Sequence, residues 1–242
     1  MSDPVAEIER ARHTELVGKN RKPVALELEP GLAPSEIESI EQELGLALPR
    51  EVRDVLEHTA AISIPWHDLD FSGRTLSFEA EDMFPSGLPV APDGFGNHWV
   101  LDLTPAERET ASVFFVCHDP PVVLFQSSSL AAFLREWFRM LSPPHASLVV
   151  DVQEDRLFNV WGTNLGEIDH DAALAADADL RAFATELGDQ FVFVDLRESE
   201  IGMGFSWGRF GPRTHVVRHG YERLFAYRRP DERPGLFRRL LG

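Results

Sequence analysis

The chain has 242 residues, of which 43% are hydrophobic and 26% charged, and its mean hydropathy is −0.18. This composition is typical of a soluble globular protein and excludes general disorder. Its single cysteine, Cys117, excludes an internal disulfide and a zinc site built on cysteines. The N-terminal segment lacks the apolar block of a signal peptide, and apolar runs stay well below the ~18 residues that span a bilayer. We therefore expect a cytoplasmic protein without a membrane segment.

Acidic residues outnumber basic residues by 40 to 23, so the net charge at pH 7 is −17. A surface that binds phosphates needs clustered Lys and Arg, which argues against direct binding of nucleic acid. The charge is uneven, because residues 205–242 carry nine Arg against three acids and residues 1–204 therefore carry −23. This acidity has two interpretations, namely solubility and a face that meets a basic partner.

After a helical N-terminal arm, the sequence up to residue 141 predicts three helices and several strands. Ser35 and Glu38 have the spacing of a capping box, and Gly45 suits the end of that helix. Pro49 favours the first turn of a second helix. In chain order we expect a helical arm to Val17, an edge strand at 24–29, the two helices, a turn at Pro92-Asp93-Gly94, strands at 99–103, 113–116 and 122–125, and a helix at 129–141 that buries Phe133, Leu134, Trp137, Phe138 and Leu141.

Residues 142–147 predict a linker, because two prolines stop the preceding helix and small residues permit a turn. We therefore divide the chain into an N-terminal arm at 1–32, a first domain at 33–141 and a second, smaller α+β domain at 148–242. In the second domain we expect a hairpin at 148–152 and 157–161, a helix at 171–187, and strands at 191–196, 203–207, 214–218 and 223–227. We also expect a short basic tail helix at 233–241 that docks on its own domain.

The order of these pieces carries a resemblance. GLALPREVRDVL, LPVAPDGFGNHWVLDL, SVFFVCHD and SSSLAAFLREWF follow one another in the chain, and together they resemble the SUKH superfamily. This superfamily contains the Smi/Knr-type domain of bacterial toxin-immunity proteins and fungal cell-wall synthesis regulators. The resemblance covers about residues 33–141. It implies an α+β fold in which helices pack on a mixed sheet, and a function in protein binding without catalysis.

The candidate chemical sites are better explained as structure. If residues 113–117 form a strand, Cys117 and His118 point to opposite faces, so the histidine cannot act as base for the neighbouring thiol. His215 and His219 lie too far apart on a strand to share one metal ion. Gly94-Phe95-Gly96 lacks the helix N-terminus or lysine of a phosphate loop. We therefore expect no catalytic residue, no metal and no cofactor.

The partner site is expected among acids and aromatic residues. Between Asp68 and Asp93 the acids are offset by Arg74 alone, and aromatic side chains such as Phe71 interrupt them. Exposed aromatic anchors commonly carry the energy of an interface. The expected partner-binding residues are Trp66, Asp68, Asp70, Glu79, Glu81, Asp82, Phe84, Asp93 and Phe95.

The resemblance leads to the hypothesis of an immunity protein that binds and blocks a cognate bacterial toxin. Many such toxins are nucleases with basic clefts, which an acidic partner would meet at high association rates. One alternative is an intracellular scaffold or regulator that uses the same domain to bind a host protein. A third reading places an enzyme in residues 148–242.

Overall fold

The computed structural model of the protein describes residues 3–64, 67–73, 83–104, 109–163, 166–208, 211 and 214–229. Its helices are α1 (Pro4–Arg12), α2 (Pro34–Leu44), α3 (Arg50–His58), α4 (Leu130–Met140), α5 (Leu148–Asp151), a π-helical turn (Val152–Arg156), α6 (Leu157–Gly162), α7 (His170–Leu174) and α8 (Ala178–Leu187). Its strands are β1 (Leu16–Val17), β2 (Pro23–Val24), β3 (Glu27–Leu28), β4 (Ala61–Ile64), β5 (His67–Asp70), β6 (Gly87–Pro92), β7 (His98–Asp102), β8 (Ser112–His118), β9 (Pro121–Ser127), β10 (Glu167–Ile168), β11 (Phe191–Asp195), β12 (Gly204–Phe205), β13 (Val216–Arg218) and β14 (Leu224–Arg228).

The α+β class is confirmed. Each strand pair that the structure describes is antiparallel, whereas the resemblance implied a mixed sheet. The edge strand predicted at 24–29 is not continuous, because this range contains the last residue of β2 and the whole of β3. Among the described residues, no helix has the length and apolar character needed to cross a membrane.

A central sheet of five strands in the order β12-β9-β8-β7-β6 lies between two covering layers. Successive residues of a strand point to opposite faces, so the unbroken apolar runs of β8 and β9 reflect burial on both sides. Phe115 and Cys117 pack towards the helices, and Phe114 and Val116 pack towards a second sheet. The strands predicted at 99–103, 113–116 and 122–125 are confirmed as parts of β7, β8 and β9.

The first covering layer contains α2, α3 and α4. The side chain of Ser129 accepts a hydrogen bond from the backbone N–H of Ala132, which starts α4 where the sequence predicts it. Buried residues on α4 include Phe133 and Trp137, as expected. The prediction of a capping box that starts at Ser35 is wrong, because α2 already starts at Pro34. The carboxylate of Glu36 instead accepts a hydrogen bond from the backbone N–H of Ala33 at 2.9 Å.

The second covering layer is a sheet in the order β10-β11-β14-β13, and α7 and α8 cover its outer face. Val192 of β11 packs towards the central sheet, while its neighbour Phe193 packs towards α8. The single helix expected at 171–187 is wrong, because the side chain of Asp177 accepts two backbone N–H groups and starts α8 anew. The tail helix expected at 233–241 lies outside the described residues.

Residues 148–162 are helical, so the predicted β-hairpin is wrong. Their buried apolar residues are Val149, Val152, Leu157 and Val160. The step of five residues between Val152 and Leu157 does not fit an α-helix, but the backbone N–H of Leu157 donates to the carbonyl of Val152, which closes a π-turn. The extra residue in this turn hides the helical period in the sequence. We call this stretch the helical segment 148–162.

The helical segment 148–162 shares its apolar core with α4 and the central sheet. β12 extends the central sheet, since Gly204 and Phe205 pair with Leu124 and Val123 of β9. Parts of the C-terminal region thus pack directly on the first 141 residues. The division of the chain at residues 142–147 into two domains stays a prediction.

Candidate functional site

A cleft of about 570 Å³ opens at one end of the central sheet. The turn between β6 and β7, the turn between β8 and β9, and the helical segment 148–162 form its walls. The side chains in it are apolar or acidic for the most part, and they include Phe95, Asp119, Glu154, Leu157 and Phe158. A cleft with exposed aromatic walls and a charged rim is suited to binding a protein surface.

The β6–β7 turn is held rigidly by Asp93. Its carboxylate accepts hydrogen bonds from the backbone N–H groups of Phe95 at 2.8 Å and Asn97 at 3.1 Å, and from the side-chain amide of Asn97 at 2.6 Å. Gly94 and Gly96 have φ angles of 82° and 92°, which side chains with a Cβ rarely adopt. The turn therefore presents Phe95 at its tip, where the side chain is 80% exposed.

The same network ties the turn to the other two walls. The side-chain oxygen of Asn97 accepts hydrogen bonds from the backbone N–H of His118 at 3.0 Å and from its Nδ1 at 2.8 Å. An amide oxygen only accepts, so the ring carries its hydrogen on Nδ1. The side-chain amide of Gln153, on the π-turn, donates to Asp93 at 3.4 Å. The three walls of the cleft are thus joined through the buried side chains of Asp93 and Asn97.

Histidine residues at this end have different environments. Burial lowers the pKa of His98, and the carboxylate of Asp93 opposes that shift while His118 adds to it. His118 is exposed at the end of β8. The lowered pKa of His98 favours its uncharged form at neutral pH, so this ring does not offset the negative charge of Asp93.

Hydrogen bonds at its N-terminal end position the helical segment 148–162. Ser147 accepts the backbone N–H of Val149 at 3.0 Å and donates to the carbonyl of Glu136 at 2.6 Å, while the carboxylate of Glu136 accepts the N–H of Leu148 at 2.9 Å. These contacts attach the segment to α4. Phe158 follows the buried Leu157 and is 62% exposed. Phe158 is absent from the expected partner-binding residues, because the local sequence predicts a hairpin at this position.

The predicted aromatic anchors divide between surface and core. Phe95 is exposed, as expected. The expectation that Phe71 and Phe84 are exposed is wrong, since both are at most 1% exposed. Phe84 packs against Phe114 at 5.0 Å and Phe225 at 6.0 Å between ring centroids. The second sheet, which the local sequence cannot reveal, covers this ring and makes it part of the core.

The predicted acids lie in two places. Asp68 is exposed on β5, and Asp70 is half-buried there and accepts hydrogen bonds from the backbone N–H and the hydroxyl of Ser72. Asp93 lies beside the cleft. The remaining predicted residues, Trp66, Glu79, Glu81 and Asp82, lie outside the described residues. Of the expected residues that the structure describes, Asp93 and Phe95 lie together at the cleft.

Cys117 is a buried thiol. Burial raises its pKa to about 11, and a hydrogen bond with the backbone of Asp119 opposes that shift only in part. Cys117 is fully buried while His118 is exposed, so the prediction that they point to opposite faces is confirmed. The thiol stays protonated at neutral pH and makes a poor nucleophile.

Alkylation provides a test of this placement. A pKa near 11 against an ordinary value of 9.0 leaves about 100-fold less thiolate at pH 7, and burial restricts access further. We expect iodoacetamide to modify Cys117 in the folded protein at least ~100-fold more slowly than in guanidinium chloride. Mass spectrometry of the time course measures both rates. Similar rates in the two states would show that the thiol is accessible and the strand placement is wrong.

Comparison with protein families gives a match over part of this chain. Residues 31–136 match the model of the SMI1 / KNR4 family (SUKH-1). The resemblance seen in the sequence over residues 33–141 is thereby confirmed. The match runs from the residues before α2 into α4 and includes the β6–β7 turn, whereas the helical segment 148–162 lies beyond it. A search of curated proteins found no match.

Proposed function

From the SUKH-1 domain at residues 31–136, we propose that the protein is a non-catalytic immunity protein that neutralises a bacterial toxin by binding it. Domains of this family are found in immunity proteins and in Smi1/Knr4 regulators. The observation that carries the proposal is the cleft in which an 80% exposed Phe95 stands on a rigid turn. A preordered aromatic side chain loses little entropy on binding, which suits it to anchor a protein partner.

The partner is proposed to be a basic protein of the cytoplasm. The net charge of −17 and the acids at the cleft attract a cationic surface and repel an anionic one. Such steering raises association rates up to about 10⁸–10⁹ M⁻¹s⁻¹ at low salt. A nuclease is a fitting toxin, because its substrate-binding cleft is itself basic. Binding there excludes the substrate without any chemical step.

Growth protection tests this function. The product of the gene directly upstream is tested as the candidate toxin, and it qualifies if its expression from an inducible promoter stops growth in the absence of this protein. We expect the parent protein to restore growth, and Phe95→Ala to weaken binding of the catalytically inactive toxin by about tenfold or more. Tyr221→Ala is the matched control, because Tyr221 is 51% exposed in the turn that precedes β14, far along the chain from the cleft.

Two results distinguish a failure of the immunity function from a failure of the proposed role of Phe95. Failure of the parent protein either to bind the toxin or to protect the cell would contradict the immunity function. Protection by the parent together with equal binding by Phe95→Ala and Tyr221→Ala would leave the function standing and contradict the role of Phe95.

The regulators in the same family support a second candidate function. A regulator would bind a host protein through the same domain, and its gene would not require a toxin gene beside it. Loss of the gene would then alter a cellular process in the absence of any toxin, whereas an immunity protein becomes dispensable when its toxin is deleted. Deleting the gene with and without the upstream gene distinguishes the two.

A further inference from the structure

The helical segment 148–162 supplies a wall of the cleft although it lies beyond the family match, which ends at residue 136. It is firmly attached there. Val149, Val152, Leu157 and Val160 are each at most 6% exposed and share the core of the matched domain. The segment is thus a fixed part of the surface that a partner meets.

The exposed side of this segment carries an unusual set of side chains. Phe158 leaves 62% of its surface in water, and it faces the same cleft as Phe95. The π-turn places Glu154 at the rim of the cleft and leaves Asp155 exposed beside it. Two exposed phenylalanines on separate rigid walls form a gap that an apolar side chain would fill, which would remove both rings from water.

The charge of the cleft indicates which residues the partner should carry on either side of that apolar side chain. Among the residues that the structure describes, the cleft lining includes Asp93, Asp119 and Glu154 and contains neither Lys nor Arg. Two described cations near the helical segment already have acidic neighbours: Arg156 contacts Asp151 at 3.1 Å, and Lys19 lies 3.8 Å from Glu154 in an exposed pair that leaves the carboxylate open to a further cation. Cationic groups on both sides of an apolar side chain would complement this pattern.

We propose that the helical segment 148–162 forms half of the docking surface and gives the protein its choice of partner. The occupant is a basic segment of the toxin that inserts an apolar side chain between Phe95 and Phe158 and places Lys or Arg against Asp119 and Glu154. This inference rests on the proposed function and names the surface that performs it. The matched domain provides one wall, and the added segment provides the other.

Binding kinetics test the two parts of the surface separately. The probe is the catalytically inactive toxin encoded directly upstream, and association and dissociation rates are measured at about 0.05 and 0.5 M salt. We expect Phe158→Ala to speed dissociation by about tenfold or more with little change in association, because it removes a buried anchor. The double substitution Asp119→Lys with Glu154→Lys should slow association by about tenfold or more at low salt and reduce its salt dependence.

Two control variants match the test variants, one in the loss of an exposed aromatic ring and the other in the change of net charge. Tyr221→Ala controls for loss of an exposed ring. Asp171→Lys with Glu186→Lys makes the same charge change on α7 and α8, which cover the far face of the second sheet. Both controls should bind like the parent protein. Hydrogen exchange of the unsubstituted complex adds a readout free of folding effects, and residues 153–162 should become protected on binding.

The outcomes are distinct. If the parent binds the toxin but Phe158→Ala behaves like Tyr221→Ala and residues 153–162 gain no protection, the docking surface is wrong and the immunity function stands. If the toxin does not bind the parent, the function and this inference both fail. A dimer of the chain that dissociates with Phe158→Ala would show that a second copy occupies the cleft, and would overturn the assignment to a toxin.

Discussion

Arg218→Met is expected to lower the free energy of unfolding by about 3–5 kcal/mol, because it leaves a buried carboxylate without its cation. The guanidinium of Arg218 donates two hydrogen bonds, both of 2.7 Å, to the carboxylate of Asp102. Their side chains are only 4% and 3% exposed. The guanidinium also lies 5.6 Å from the ring centroid of Phe84 and 5.4 Å from that of Phe225. Water therefore cannot replace the lost partner.

Urea unfolding of Arg218→Met, followed by circular dichroism, measures this loss as a lower midpoint. A double-mutant cycle with Asp102→Leu isolates the pair, since removing both charges should be less damaging than the sum of the two single changes. Lys19→Met, at a residue whose side chain is 64% exposed, is the surface control and should change stability by less than about 0.5 kcal/mol. A loss below about 1 kcal/mol for Arg218→Met would contradict the burial of this pair.

Trp137→Ala is the second substitution with a large expected effect, again a loss of about 3–5 kcal/mol. The indole of Trp137 is 1% exposed, lies 5.2 Å from the ring of Trp99 in an edge-on arrangement and 5.5 Å from the ring of Phe133. Its removal leaves a cavity between α4 and the central sheet. The surrounding helices and strands can close such a cavity only in part.

Guanidinium unfolding compares Trp137→Ala with Trp137→Phe and Phe95→Ala. The phenylalanine variant keeps most of the ring volume and should lose less stability than the alanine variant. Phe95→Ala removes a ring that is already 80% exposed and should stay within about 0.5 kcal/mol of the parent. If Trp137→Ala were no more harmful than Phe95→Ala, α4 would not face the central sheet through this residue.

The family and much of the fold of residues 33–141 could be predicted from sequence, because their signals are local. The Ser129 cap, the positive φ at Gly45 and the apolar runs of β8 and β9 each depend on neighbouring residues in the chain. The DGFGN turn is such a signal too, and Phe95 within it is exposed, as expected. The helical segment 148–162 could not be predicted, because its π-turn breaks the period on which helix prediction depends.

The sequence by itself determined the acidity of this protein, its single cysteine and the order of elements that carries the family resemblance, since these follow from residue identity and short spacing. The tertiary structure alone decided which polar groups are buried. Glu51 belongs to a polar stretch of α3, yet its carboxylate accepts the backbone N–H groups of Ala111 at 2.7 Å and Leu130 at 2.8 Å. It also decided that Phe84 is core while Phe158 is surface. Burial depends on what distant parts of the chain cover, and no local pattern records that.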